Sequence, residues 1–207
     1  MSRWPVRLQA RRPDGSVVTL RPLARGDRGR WQELRARNRE WLQPWEATIP
    51  YGVEPRLTFG QLRRGLDRSA REGRALPFVI DDGTGVVGQM HLFDVVWGPR
   101  CTGTAGYWLD REAVGRGLAT WSLAMLIDHA LTDYGLHRVE VNIRPENTDS
   151  LAVARRLGLR DEGERVGLVH VAGDWRDHRS FAVTADELAG GTLVGALSRR
   201  SPDHPRS

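Results

Sequence analysis

Val6, Leu8 and Ala10 alternate with polar neighbours, Pro13-Asp14-Gly15 interrupts them, and Val18 and Leu20 resume the alternation, so the chain opens as a β-hairpin. Beyond Asp27, placed to cap a helix, Trp31, Leu34, Asn38 and Trp41 recur at near-helical spacing as far as Pro44. Thr58 caps a second helix carrying Phe59, Leu62, Leu66 and Ala70. Leu76 to Ile80, the turn Asp81-Asp82-Gly83, and Val86 to Asp94 predict another hairpin, followed by a strand from Thr104 to Leu109. The strongest helical pattern is Ala119, Leu123, Leu126, Ile127, Ala130, Leu131 and Tyr134, with Gly135 as its terminator. From His137 to Arg144, Val139, Val141 and Ile143 alternate with Glu140, Asn142 and Arg144, which predicts a strand with one apolar and one polar face. A short helix from Ser150 to Leu157, closed by Gly158, precedes two strands near 165–171 and 178–184, joined by Ala172-Gly173-Asp174-Trp175. From Ala189 the chain is rich in Gly, Ser, Arg and Pro and is expected to be disordered.

With 207 residues, 40% of them hydrophobic, the chain suits one domain with a continuous core. No stretch approaches the roughly 20 apolar residues of a membrane span, and the first residues lead into no apolar signal region, so a cytosolic location is expected. A single cysteine, Cys101, excludes an internal disulfide and a thiolate pair for structural zinc. A net charge of +5 raises nucleic acid as a partner. All 31 basic residues are arginine, however, a pattern of GC-rich bacterial coding more than of a basic face, which discounts that partner. The lack of lysine also removes a Walker A loop and a lysine Schiff base.

Tyr107-Trp108-Leu109, then Val114-Gly115-Arg116-Gly117-Leu118-Ala119, then the long helix place a glycine loop between a strand and a helix start. Free N–H groups there, with no Cβ in the way, make a nest for a diphosphate. An ordinary strand-to-helix turn is the bland alternative. A dinucleotide fingerprint is the rival reading, against which stand Thr120, in the place of its third glycine, and the antiparallel lead-in.

These residues resemble the GNAT superfamily of N-acetyltransferases, whose signature Q/R-x-x-G-x-G/A appears here as Glu112-Ala113-Val114-Gly115-Arg116-Gly117, with the first position departing. A second element, Asn followed eleven residues later by Gly-Phe, appears as Asn147 and Gly158-Leu159. Leu20-Arg21-Pro22-Leu23, Trp41-Leu42-Gln43-Pro44-Trp45 and Asn147-Thr148-Asp149-Ser150 are similar to the RimJ/RimL branch, the ribosomal-protein N-terminal-alanine acetyltransferases. The resemblance implies an α+β fold: one domain over 17–188, after an N-terminal extension at 1–16, with a mixed, mostly antiparallel sheet of about seven strands and helices on both faces. It implies acetyl-CoA as acyl donor and no metal. Tyr107, Trp108 and Leu109 would pair with the pantetheine arm, and Val114, Gly115, Arg116, Gly117, Leu118, Ala119 and Thr120 would hold the diphosphate. Asn142, Asn147 and Ser150 complete the expected coenzyme contacts.

Direct transfer needs a neutral amine and a hydrogen-bond donor for the departing thiolate. The tyrosine that many relatives place seven residues after the Asn is Ala154 here, so Ser150 is the expected substitute. Glu140 is the first candidate base, with a bulk-water relay as the alternative; Glu46, His91 and Asp94 follow. Trp41, Trp45, Glu46 and His91 are the expected acceptor wall, although core packing competes as a role for each tryptophan. The expected acceptor is a primary amine, foremost a protein N-terminal α-amine. The alternatives are a small-molecule amine, a bulkier donor such as succinyl-CoA, or a silent acyl-CoA-binding module. A homodimer, common in the superfamily, stays open.

Overall fold

The computed structural model describes residues 4–51, 55–188 and 190–199. Eight strands form one sheet: β1 (Leu8–Arg11), β2 (Val17–Pro22), β3 (Leu76–Asp81), β4 (Val86–Val96), β5 (Thr102–Leu109), β6 (Arg138–Ile143), β7 (Arg160–Val171) and β8 (Asp174–Thr184). Their order is β1-β2-β3-β4-β5-β6-β8-β7, with every pairing antiparallel except β5–β6. There is one strand more than expected. The N-terminal extension is no appendage, because β1 pairs in register with β2 from Leu8↔Leu20 to Arg11↔Val17.

Among the described residues the α-helices are α1 (Arg28–Arg37), α2 (Arg39–Leu42), α3 (Phe59–Arg71), α4 (Leu118–Leu131), α5 (Thr148–Leu157) and α6 (Leu193–Arg199). They cover both faces of the sheet. On one, Leu34 of α1 and Phe59 of α3 pack over Val79 and Val86. On the other, α4 and α5 pack over Leu20, Phe78, Met90, Ala105 and Val141. Every residue of α4 is buried, more than its apolar stripe required, because α5 and α6 cover its outer side.

Three local expectations change. Asp27 does not cap α1 with its side chain; its carboxylate accepts from Arg21 and from the Ala24 N–H, at 2.7–2.9 Å. The predicted helix through Trp41 breaks at Asn38, whose buried amide donates to Asp110 at 2.8 Å while its oxygen accepts the Arg111 N–H at 2.9 Å. The tail is helical over Leu193–Arg199 in place of the expected disorder. Leu193 and Leu197 are buried, and Asp128 of α4 accepts the N–H groups of Leu193 and Val194 at 2.8 and 2.9 Å. Residues 189 and 200–207 of that tail lie outside the described residues.

Candidate active site

β5 pairs with β6 over three positions, Thr102↔Arg138 to Thr104↔Glu140, and from there the two strands diverge. The β5 edge from Ala105 to Leu109 therefore has no ladder partner on its β6 side, leaving backbone N–H and C=O groups facing a cleft. The glycine loop closes the top of that cleft. Gly115 and Gly117 have φ of 80° and 73°, left-handed values at which a Cβ is strained. The first helical bond of α4 runs from Trp121 N–H to Gly117 O, so the N–H groups of Leu118, Ala119 and Thr120 have no partner within the helix. A cavity of about 650 Å³ is lined by Tyr107, Trp108, Leu109, Val114, Gly115, Gly117, Leu118, Ala119 and Thr120. The sequence-predicted coenzyme residues of strand, loop and helix thus share one wall. Arg116 is the exception: it pairs with Asp82 at 2.8 Å and stands outside the lining. The departing signature residue, Glu112, also points elsewhere, to Arg37 at 3.3 Å.

At the centre of the cleft the Tyr107 phenol donates to Ser150 Oγ at 3.1 Å. Burial pushes its pKa up to about 12, so it stays protonated at neutral pH. Asn147 caps α5, its Oδ1 accepting the Ser150 N–H at 3.1 Å, and so fixes where Ser150 stands. Ala154 is fully buried in the core. The phenol in this cleft comes from the sheet and not from α5. Sequence reasoning assigned Tyr107 a backbone role only. The signal was its parity with Ala105 and Leu109, which face α4.

On the opposite face of β4 and β5, Gln89 Oε1 accepts from two indoles, Trp31 at 3.2 Å and Trp108 at 3.0 Å. An indole N–H can only donate, so Gln89 must turn its NH₂ to His91, 3.3 Å away at Nε2. His91 is thereby the acceptor at Nε2 and carries its proton on Nδ1. Burial lowers its pKa to about 4, so it is neutral across the physiological range. Trp41 and Trp45 line the same cavity, each under a guanidinium, Arg111 at 5.5 Å and Arg144 at 5.4 Å. Glu46 lines it too and is ion-paired to Arg35.

Glu140 and Asn142 lie elsewhere. They line a second cavity of about 480 Å³ beneath the splay, together with Asp94, which a β4 bulge lifts to φ 49°. Both Glu140 oxygens are engaged, by Arg138 at 3.0 Å and Arg165 at 3.1 Å. Asn142 accepts from Ser180 at 2.6 Å. The two cavities share Trp45, Phe93, Gly106, Tyr107, Asn147 and Ser150, so they meet at the Tyr107–Ser150 bond. Ala47 bridges to Val171 and Thr48 N–H donates to His170 O at 2.8 Å, which seals the α2–α3 loop against the β7–β8 hairpin beside the second cavity.

Among the described residues no group of three or more His, Cys, Asp or Glu could hold a metal, and no helix is long and apolar enough to cross a membrane. The acetyltransferase (GNAT) domain family matches residues 18–160. The structure of Mycobacterium smegmatis RimJ in complex with CoA-disulfide is 36% identical, covers 94% of this chain and 94% of its own, and superposes with a TM-score of 0.85. The ribosomal protein uS5-alanine N-acetyltransferase of Escherichia coli is 27% identical over 175 residues, 80% of this chain and 87% of its own. The ribosomal-protein-S5-alanine acetyltransferase of Vibrio fischeri is 25% identical, with 82% and 94% of the two chains covered and a TM-score of 0.73. Splayed strands, a glycine loop opening α4 and a family match over most of the sheet lead to one conclusion: this chain belongs to the GNAT superfamily of acetyl-CoA-dependent N-acetyltransferases.

Proposed function

We propose that this enzyme acetylates the N-terminal α-amine of a protein, and that the donor and acceptor approach the Tyr107–Ser150 pair from opposite sides of the sheet. The observation that carries this reading is a pair of cavities that meet at Tyr107 and Ser150: one ends in the glycine loop, and the other is lined by Glu140, Arg165 and the β7–β8 hairpin. Two of its relatives are named as acetyltransferases of a ribosomal-protein alanine, which supports the acceptor class.

The loop fits a diphosphate because its two glycines leave the N–H groups of Leu118 to Thr120 accessible. When bound, the coenzyme supplies an acetyl group activated as a thioester. The chain's residues then have three tasks. The β5 edge from Ala105 to Leu109 orients the pantetheine arm as an added strand would. Tyr107 and Ser150 offer hydroxyl protons where negative charge develops on sulfur. With Tyr107 near 12 and a thiol near 8.5, handing the proton over outright is uphill by about 5 kcal/mol, so these hydroxyls act as hydrogen-bond donors and not as the net acid. His91 presents an Nδ1–H and its Nε2 is occupied, which makes it a donor to an acceptor carbonyl and not a base.

Glu140, held between two arginines, shapes the acceptor mouth in this reading. No dedicated base is needed: an α-amine with a pKa near 7.7–8.0 is roughly one-third neutral at pH 7.5 and can release its proton to water. The test is thiol release from acetyl-CoA with an alanine-led peptide, the same peptide with a blocked N-terminus, and a polyamine. Release with the free peptide alone supports the reading. Release with the polyamine and not with the peptide refutes it.

A further inference from the structure

We infer that Arg12, carried by the β1–β2 turn, binds the coenzyme diphosphate alongside the glycine loop; this rests on the coenzyme reading above. The loop's own arginine is committed elsewhere, since Arg116 pairs with Asp82 at 2.8 Å. The cation beside the loop comes instead from the far end of the chain. Arg12 Nη2 lies 3.5 Å from the point a Cβ on Gly117 would occupy, against the residue whose conformation starts α4. Its side chain is 17% exposed, and its Nε is buried with no hydrogen-bond partner. A buried guanidinium N–H with nothing to donate to is costly unless an anion completes it.

The turn does not explain this placement. Arg12 pairs with Asp14 at 3.4 Å, but Asp14 is more than half exposed and its other oxygen already accepts both N–H and Oγ–H of Ser16 at 3.0 and 2.6 Å. Such a long, solvated pair contributes little. What holds Arg12 at this spot is the hairpin itself: Arg12 N–H donates to Ser16 O at 2.8 Å and Gly15 N–H returns to Arg12 O at 2.9 Å. Arg12 Nη2 thus stands against Gly117, the residue that precedes the free N–H groups of α4, and a guanidinium fork suits two oxygens of a phosphate. The N-terminal hairpin is therefore part of the donor site.

The experiment measures equilibrium binding of CoA, dephospho-CoA and pantetheine to the full chain and to Arg12→Gln, Arg12→Lys and Arg11→Gln. Arg11 is the control, an exposed arginine on the same hairpin that donates to Gly15 O. Arg12→Gln should weaken CoA and dephospho-CoA alike, on the order of 10- to 100-fold, and leave pantetheine unchanged. Arg12→Lys should fall between, and Arg11→Gln should bind as the wild type does. A melting temperature of unliganded Arg12→Gln close to that of the wild type shows that the fold is intact. CoA binding by Arg12→Gln within about twofold of wild type overturns the assignment, as does an equal loss of pantetheine. A loss seen with CoA but not with dephospho-CoA moves the contact to the 3′-phosphate and overturns it as stated. Failure of the wild type itself to bind CoA would sink the coenzyme reading, which the variants alone cannot do.

Discussion

Replacing Gly117 separates the conformational role of the loop from its binding role. Gly117 has φ 73° and ψ 1°, and a Cβ there would meet nothing nearer than Arg12 Nη2 at 3.5 Å and Trp121 Cδ1 at 4.0 Å. Gly117→Ala therefore creates no clash in the free chain, and its cost is the left-handed backbone, about 1–2 kcal/mol. For a chain of this length that is a melting-point loss of roughly 2–8 °C. Asparagine tolerates the left-handed region better, so Gly117→Asn should melt closer to wild type. Binding behaves differently. Either side chain intrudes where a diphosphate oxygen must approach the N–H groups of Leu118 and Ala119, and losing one charge-assisted hydrogen bond of about 1.5–3 kcal/mol weakens binding roughly 10- to 150-fold. Thermal unfolding together with calorimetric titration of CoA reads both quantities. The reasoning is refuted if Gly117→Asn, folded and stable, binds CoA as tightly as the wild type.

Three further outcomes follow from the geometry. Tyr107→Phe removes the phenol that donates to Ser150 and should lower kcat about 10- to 100-fold with little change in melting temperature; wild-type activity should show no loss from this group up to about pH 10, because its pKa is near 12. An unchanged kcat in thiol release would remove Tyr107 from the chemistry. His91 is near 4 when folded and near 6.5 when unfolded, so the unfolded chain binds the extra proton and stability falls as pH drops from about 6.5 to 4, by at most ~3 kcal/mol. His91→Gln should flatten that part of a denaturant-midpoint profile, and a profile unaltered by the substitution would contradict the burial argument. Asp128→Ala removes the carboxylate that accepts the Leu193 and Val194 N–H groups and should expose α6 to proteolysis at a cost of about 1–3 kcal/mol, while CoA affinity stays the same. Loss of CoA binding at this remote site would show that α6 matters to the cleft.

Local pattern determined much of this protein. The alternation of Val139, Val141 and Ile143, the spacing along α4, the Thr58 cap and the two loop glycines are nearest-neighbour signals, and each element forms where they place it, except that α4 ends at Leu131, short of Tyr134. The wall proposed for the donor was legible for the same reason, because a strand, a glycine loop and a helix start are contiguous in the chain. The acceptor half was not. Glu140 reads as a free carboxylate on a polar strand face until Arg165 of β7 reaches it. His91 reads as a base until Gln89 and two indoles from different elements set its tautomer. The tail reads as unstructured until Asp128, 65 residues earlier, caps it. Arg12 is one arginine among many until β1 pairs with β2 and sets it beside Gly117. Which backbone segments form depends on neighbours within a few residues. What a charged or polar side chain does depends on the partners that folding brings across the sheet, and these are separated from it by tens of residues.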